Sequence, residues 1–440
     1  MSLILNLSTK QVDYTAAFVH ADIDEPPHFH EMSAEEQAQT GVYIEMPRGF
    51  ERPGKVLKLK KSFYGLKQSP RNFFLHLKSK LEAVGLRSEP EIDPCLFISD
   101  KVICLIYVDD TLFFSPKQEY IDEIISKLQN EQNLALEVED SVAGFLGVHI
   151  ERRDDGSIKL TQKGLIKRII EALNITHLPR KFTPAKAEPL VKDTDGPPAN
   201  STFSYPSVIG MLQYLQGHSR PDITYAVSQC ARFTHSPRRS HEQALERIGQ
   251  YLKLTMEEGL ILKPTSASEI DIFVDADFAG LWPLEDKLDP TCVKSRTGYV
   301  ITVAQCPVIW CSKLQSEIAL STMEAEYYAM SYCMRAVLPF KRILMKVMRS
   351  LGIKEQKDMK FKTSIWEDNA GALNLANLEP GRFTPRSKHY AIKYHWFRSH
   401  LKPNSITVNK IETKDQKADI LTKGLRKDTF ESIRKLLCGW

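Results

Sequence analysis

Tyr107-Val108-Asp109-Asp110 sets two adjacent carboxylates where an apolar hairpin turns, and no other stretch constrains the chain as strongly. Val102 to Ile106 leads in and Thr111-Leu112-Phe113-Phe114 leads out, both runs apolar and free of Gly and Pro. Such runs predict two buried strands joined by a tight connection. Hairpin turns favour Asn-Gly or Asp-Gly, whose backbones accept the required dihedral angles. Asp-Asp lacks that advantage and sets like charges against a hydrophobic layer. A divalent cation resolves the conflict, since hard oxygen ligands suit Mg²⁺. A bare Asp-Asp pair also reads as a solvated turn, and the flanking apolar runs are what turn attention to a site.

The chain has 440 residues, enough for two or three domains with proper cores. Apolar residues make up 42% and charged ones 26%, the balance of a soluble globular protein. No run approaches the ~18 apolar residues of a membrane span, so no membrane partner is expected. The opening Met1-Ser2-Leu3-Ile4-Leu5-Asn6-Leu7 lacks the basic n-region and full h-region of a signal peptide. Eight cysteines without a CxxC pair, of which Cys306 and Cys311 lie closest, read as reduced thiols in an intracellular protein.

Net charge is only +4, but the cations are clustered. Between Lys55 and Lys80 stand eight Lys/Arg residues and no acid, interleaved with Phe63, Tyr64, Phe73 and Phe74. Between Pro380 and Lys410 stand seven more, among Tyr390, Tyr394, Trp396 and Phe397. Cations neutralise phosphates and aromatic rings stack on bases or sugars, so two such stretches favour a nucleic-acid partner over solvated helix faces. Pro184 to Pro198 carries Pro, Gly, Lys, Asp and Glu without apolar periodicity and is expected to be an exposed connection.

Asp13, in Gln11-Val12-Asp13-Tyr14-Thr15-Ala16-Ala17-Phe18, precedes Asp109 by 96 residues, so only a fold can join them. Here a family resemblance becomes specific. That segment, then Val42-Tyr43-Ile44-Glu45-Met46-Pro47-Arg48-Gly49-Phe50, Ser62-Phe63-Tyr64-Gly65-Leu66-Lys67-Gln68-Ser69-Pro70-Arg71 and Tyr-Val-Asp-Asp, resembles the ordered motifs of copia-type retrotransposon reverse transcriptases. The resemblance implies that Asp13, Asp109 and Asp110 hold two Mg²⁺ ions in a polymerase palm, with Asp110 nearer a supporting role. It also implies that Phe18 is an aromatic gate against a ribose 2′-OH and that Tyr64 and Gly65 line the nucleotide pocket. Phe18 alone reads equally as a core aromatic. Lys67 and Arg71 would contact nucleic acid. Phe145-Leu146-Gly147-Val148 resembles the primer-grip hairpin, and Lys163 to Leu173 reads as a thumb helix with Leu165, Ile169, Ile170 and Leu173 on one side.

Two departures stand out. Only twelve residues precede Asp13, where the family carries a fingers segment, so a fragment with doubtful polymerase activity is expected. Pro26 to Gly41 interrupts a stretch that is nearly continuous in the family, and its His28, His30, Glu31, Glu35 and Glu36 read as a solvated insertion rather than a metal site.

The second half has its own carboxylates. Ile270 to Asp277 has strand character and ends in acids. Ser321-Thr322-Met323-Glu324-Ala325-Glu326 opens a helix, where a Ser321–Glu324 capping box accounts for Glu324. Glu326 has no such reason, since it shares a face with Ala329, Met330, Cys333 and Val337. Ile365-Trp366-Glu367-Asp368-Asn369 reads as strand into helix, and Lys417-Ala418-Asp419-Ile420-Leu421 as the start of another helical segment. Each acid taken singly reads as a cap or surface charge. Together, Asp275, Glu326, Asp368 and Asp419 follow the Asp-Glu-Asp-Asp order of ribonuclease H, and their local sequences resemble the copia-type domain. The resemblance implies four ligands to two Mg²⁺ ions, with Arg386, Lys388 and Arg398 gripping phosphates.

The expected fold is thus an α+β polymerase palm with truncated fingers and a thumb/connection, followed by an α/β ribonuclease H-like domain. Expected boundaries are 1–150 for the palm, 151–183 for the thumb, 184–204 for the linker, 205–265 for the connection and 266–440 for the last domain. A chain from about Glu269 onward is expected to bind Mg²⁺ and cut hybrid by itself. The expected chemistry is RNA-directed DNA synthesis and hydrolysis of RNA in RNA–DNA hybrids, with two Mg²⁺ ions per site and Mn²⁺ as a substitute. Partners would be an RNA template, a DNA primer, the hybrid and deoxynucleoside triphosphates. The expected location is the cytoplasm, in a virus-like particle, or the nucleus. The alternative is a non-catalytic nucleic-acid-binding scaffold derived from a retroelement.

Overall fold

The apolar runs around Asp109 and Asp110 lie in a six-stranded antiparallel sheet. Its strands are Ser8–Tyr14 (β1), Arg87–Glu89 (β2), Asp93–Ile98 (β3), Ile103–Tyr107 (β4), Asp110–Ser115 (β5) and Leu136–Glu139 (β6), in the order β2-β3-β4-β5-β1-β6. This computed structural model describes residues 2–23, 31–140, 142–265, 269–282, 284–351, 362–379 and 391–440. The chain divides into two compact units, Met1–Val142 with Arg342–Lys354, and Ala143–Lys341 with Glu355–Trp440.

In the first unit, helical spacing decides which residues cover the sheet. Helix Ser69–Ala83 (α1) buries Phe73, Leu77 and Leu81, four residues apart, and starts with Pro70 where a missing N–H costs nothing. Helix Gln118–Asn130 (α2) buries Ile121, Ile124, Ile125 and Leu128. Both stripes join Val12, Tyr14, Phe97, Cys104 and Phe113 of the sheet in one core. A smaller cluster gathers Leu7, Leu96, Ile98 and Ile103 with Leu351.

The second unit opens with a small antiparallel sheet of Gly144–Phe145 (β7), Val148–Arg152 (β8), Ile158–Thr161 (β9) and Leu260–Leu262 (β10). Leu146 and Gly147 turn the first hairpin, both at positive φ as a two-residue turn of this hand requires. Four helices follow, Lys163–Ala172 (α3), Tyr205–His218 (α4), Thr224–Ala231 (α5) and Arg239–Leu254 (α6). Helix α3 covers the segment whose periodicity predicts a helix, burying Ile169, Ile170 and Leu173 as expected, but Ile166 is buried with them and Leu165 only partly.

The five-stranded sheet comes next: Glu269–Asp277 (β11), Arg296–Val303 (β12), Cys306–Leu314 (β13), Lys362–Glu367 (β14) and Ile406–Lys410 (β15), in the order β13-β12-β11-β14-β15. The first three are antiparallel and the last two run parallel to β11, the ribonuclease H-like arrangement that the resemblance implied. Helices Thr322–Ser350 (α7), Ala370–Ala376 (α8), Ala391–Leu401 (α9) and Lys427–Cys438 (α10) complete it.

Two expectations change. Residues 184–204 form no helix or strand, as their composition predicts, yet they are pinned rather than free. The Leu190 carbonyl accepts from Arg232, the Val191 carbonyl meets His241, and the Lys192 N–H donates to Glu285. Nor is the five-stranded sheet self-contained. One core joins Ile166, Leu212, Leu245 and Tyr251 to Phe273, Val300, Ile420, Phe430 and Leu437. Removing everything before Glu269 would strip the partners from α10 and one sheet face. We expect residues 269–440 alone to show no cooperative thermal transition, and residues 143–440 to unfold cooperatively, as calorimetry would record.

Candidate active sites

In the first unit the two-residue turn between β4 and β5 consists of Val108 and Asp109, because Tyr107 pairs with Asp110. Val108 sits at φ 58, a conformation that a β-branched side chain rarely adopts and that costs of order 1–3 kcal/mol. Asp109 thus stands on the turn while Asp110 opens the strand. Val12 pairs with Thr111, so Asp13 and Asp110 face each other one step further along the ladder. Asp110 accepts from Gln11 Nε2 at 3.3 Å. Burial, and then the charges of Asp109, Asp13 and Glu139, push its carboxyl above the usual range, and the Gln11 bond partly offsets them. Gln11 and Glu139 are neighbours that sequence reasoning missed, since both become visible only once β1 is paired on each side.

Phe18 lies in a short 3₁₀ turn after β1, 8% exposed, with its ring edge-on to Tyr64 at 4.7 Å and to Phe73 at 6.0 Å. It is therefore both a core aromatic and the backing for the exposed Tyr64. Gly65 follows at φ +91, a conformation that favours glycine. Lys67 and Arg71 are exposed nearby, at and just before the start of α1.

The second unit brings its carboxylates closer. Phe273 pairs with Trp366 in the parallel ladder β11–β14, so Asp275 and Asp368, each two residues further on, lie level at the carboxyl end of the sheet. This is where open α/β sheets place ligands. Glu326 reaches them from the first turns of α7, where Ala325, Ala329, Met330 and Cys333 are all buried. Among the described residues, Asp275, Glu326 and Asp368 offer oxygen atoms that all lie within 4.8 Å of one another.

Asp419 arrives through a close approach. Gly298 pairs with Asp275 across β11–β12, and a Cβ there would stand 2.5 Å from Thr422 Cγ2 and 3.2 Å from the Ala418 carbonyl oxygen. Glycine thus lets the 3₁₀ turn Lys417–Leu421, shorter than the helix expected there, lie against the sheet. Thr422 Oγ1 donates to Asp275, and Lys423 Nζ stands 3.0 Å from Asp419 Oδ1 and 3.8 Å from Asp275 Oδ2. Asp368 Oδ2 accepts from Thr413 at 2.9 Å. The capping box is half as expected: Ser321 accepts the Glu324 N–H, but the Glu324 carboxylate reaches back to the Leu320 N–H.

Crowding raises the affinity of these acids for protons. Burial and then the charge of Asp275 raise Asp419 to about 7. Burial, with Asp275, Glu367 and Asp368 adding repulsion, pushes Glu326 well up. Burial also raises Asp275, against the pull of Lys423 and Thr422. Burial would lower Lys423, but Asp275 and Asp419 outweigh it and hold the ammonium charged. Glu326 Oε2 is buried with no hydrogen-bond partner. An orphaned buried carboxylate oxygen beside two others is what a hard cation satisfies, so the donor set fits Mg²⁺ or Mn²⁺.

Sequence reasoning also missed Glu367, Thr422 and Lys423. Glu367 is fully buried, with Oε1 taking the Asn369 N–H at 3.0 Å and Oε2 unpartnered. Its adjacency to Asp368 was the available signal. One expected contact is corrected: Arg398 is 4% exposed and donates to the carbonyls of Leu378 and Glu379, so its guanidinium serves the fold instead of a phosphate. Arg386, Lys388, His28 and His30 lie outside the described residues.

Comparison with known proteins then decides the family. Residues 2–187 match the family described as "Reverse transcriptase (RNA-dependent DNA polymerase)". The Pol polyprotein of the tobacco (Nicotiana tabacum) transposon TNT 1-94 is 30% identical over 98% of this chain and 31% of its own length. The chain belongs to the copia-type retrotransposon Pol family. The Arabidopsis thaliana transposon RE1 polyprotein is 31% identical over 89% of the chain and 26% of its own length. This copia-type chain thus spans less than a third of the length of these relatives. A solved foamy viral protease–reverse transcriptase in complex with dsDNA aligns with 94% of the chain and 70% of its own, at 13% identity and a TM-score of 0.43.

The raised Asp419 sets a pH dependence. Its folded-state value of about 7 exceeds the ~3.9 of an unfolded Asp, so its contribution to stability is fully present below pH ~4 and lost as pH rises through 7. Thermal unfolding in EDTA should show that loss, and Asp419→Asn should flatten it.

Proposed function

We propose that the chain carries two phosphate-processing centres, one for RNA-directed DNA synthesis in the first unit and one for hydrolysis of RNA in RNA–DNA hybrids in the second. The observation that carries the reading is the Asp275–Glu326–Asp368 cluster with its unpartnered Glu326 oxygen. In this reading the first unit is the palm, α3 the thumb, α4 to α6 the connection, and β11 to α10 the ribonuclease H-like domain.

Mg²⁺, or Mn²⁺ in its place, would be held by Asp13, Asp109 and Asp110 in one centre and by Asp275, Glu326, Asp368 and Asp419 in the other. Bound there, such ions activate the attacking oxygen and neutralise charge on the leaving one. The protein's own part is to hold the ligands still. Asp275 is fixed in a strand interior and by the Thr422 hydroxyl, Asp368 by Thr413, and Glu326 by a helix with a fully buried face. That rigidity places reacting groups without further reorganisation. In the first centre Phe18, held between Tyr64 and Phe73, is the ring that would exclude a ribose 2′-OH and select deoxynucleoside triphosphates. Lys67 and Arg71 would neutralise template phosphates.

Asp275→Asn and Glu326→Gln should each lower hybrid cleavage by several orders of magnitude, because the metal supplies most of the barrier reduction. Asp109→Asn should remove whatever primer extension the chain supports and leave cleavage intact. Cleavage by Asp275→Asn at the unmodified rate would overturn the assignment.

Binding of an RNA–DNA hybrid should weaken steeply with salt. Replacing Lys67 and Arg71 together should reduce the magnitude of the log–log slope by about two, as filter binding across a salt series would measure. Salt-independent binding would point to a different class of partner.

A further inference from the structure

We propose that Lys423 is the resident counter-cation of the second carboxylate centre: its ammonium holds Asp275 and Asp419 in the metal-free chain and yields that place when a divalent cation binds. The inference rests on the proposed ligand set and goes beyond it, to what controls its occupancy. Nζ lies 3.0 Å from Asp419 Oδ1 and 3.8 Å from Asp275 Oδ2, so one ammonium spans two of the four acids.

The backbone and the side chain of this lysine are under opposite constraints. The Lys423 N–H donates to the Asp419 carbonyl at 3.3 Å, and Thr422 is tied to Asp275. At the next residue, a Cβ on Gly424 would stand 2.0 Å from the Lys186 carbonyl oxygen, so the chain there is pressed against its neighbour. The main chain is therefore tied or closely packed at residues 422, 423 and 424. The Lys423 side chain is 42% exposed, against 6% and 8% for the carboxylates it joins. A long flexible stem rooted in a fixed backbone can swing to solvent at little cost. Lys423 pairs with Asp275 and Asp419 but not with Glu326 or Asp368, so it meets the three-oxygen cluster at its Asp275 edge, the place that a cation seated among those oxygens would take from it.

Such a lysine stabilises the empty centre and competes with the metal, so its loss must act on the two states in opposite senses. Lys423→Met keeps most of the stem and removes the charge, and Lys423→Arg keeps the charge. The test measures Mg²⁺ binding to the full chain by calorimetry and thermal stability in EDTA and in saturating Mg²⁺. The component of binding heat that Asp275→Asn removes is taken as the centre's own. Lys423→Met should lower the melting temperature in EDTA but not in Mg²⁺, and should tighten Mg²⁺ binding about ten-fold, as loss of a competing unit charge a few ångströms away implies. Lys423→Arg should change neither by as much. Unchanged affinity and unchanged stability in EDTA would overturn the proposal, as would equal destabilisation with and without Mg²⁺, which would make Lys423 a purely structural contact. Should Asp275→Asn remove no binding heat, the ligand set itself fails, an outcome distinct from the other two.

Discussion

The second unit depends on forcing like charges together at the buried end of a sheet. Asp275, Glu326, Glu367 and Asp419 are each less than a tenth exposed, and desolvation plus mutual repulsion raises every one of them. Such an arrangement persists only if the surrounding structure over-determines it. Gly298 admits the Asp419 segment, Thr422 fastens it, and the parallel register of β11 and β14 fixes the level of the rest. Fold and chemistry are therefore not separate achievements here, since the strain of the site is borne by the packing around it.

The first centre is organised differently. Its acids stand on a hairpin turn and an adjoining strand edge, with Asp13 exposed and Asp109 and Asp110 only partly covered. Less desolvation means less repulsion to contain, and the cost appears instead as the left-handed backbone at Val108. One unit stores its tension in electrostatics and the other in a dihedral angle.

Much of this was legible in residue order. The Asp-Asp pair between apolar runs predicts the β4–β5 hairpin, and the stripe from Glu326 to Val337 predicts a buried helix face carrying one acid. Periodicity also places α3 to within a residue. What could not be read depends on partners distant in the chain. Lys423 gains meaning only when Gly298 brings its segment to β11. Arg398 stands in a basic, aromatic-rich stretch that suggests phosphate contact, but composition says nothing of burial, and its guanidinium is spent on carbonyls. The Pro184–Pro198 connection shows the same limit: lack of periodicity excludes a helix or strand, but not a set of hydrogen bonds that lays the segment down. The shared core was hidden because each helix shows its own apolar stripe without naming what covers it.

That shared core bears on how the chain reaches its structure. Helix α10 packs against the turn Pro221–Ile223, which follows the fully buried Arg220 with its bonds to Asp222 and Thr255. These partners lie about 200 residues apart, so α3 to α6 emerge from the ribosome long before the helix that closes over them. During that interval their apolar faces are open to water and to other nascent chains. Productive assembly of the second unit is therefore a race between elongation and aggregation, and slower translation between residues 260 and 430 would lengthen the exposure.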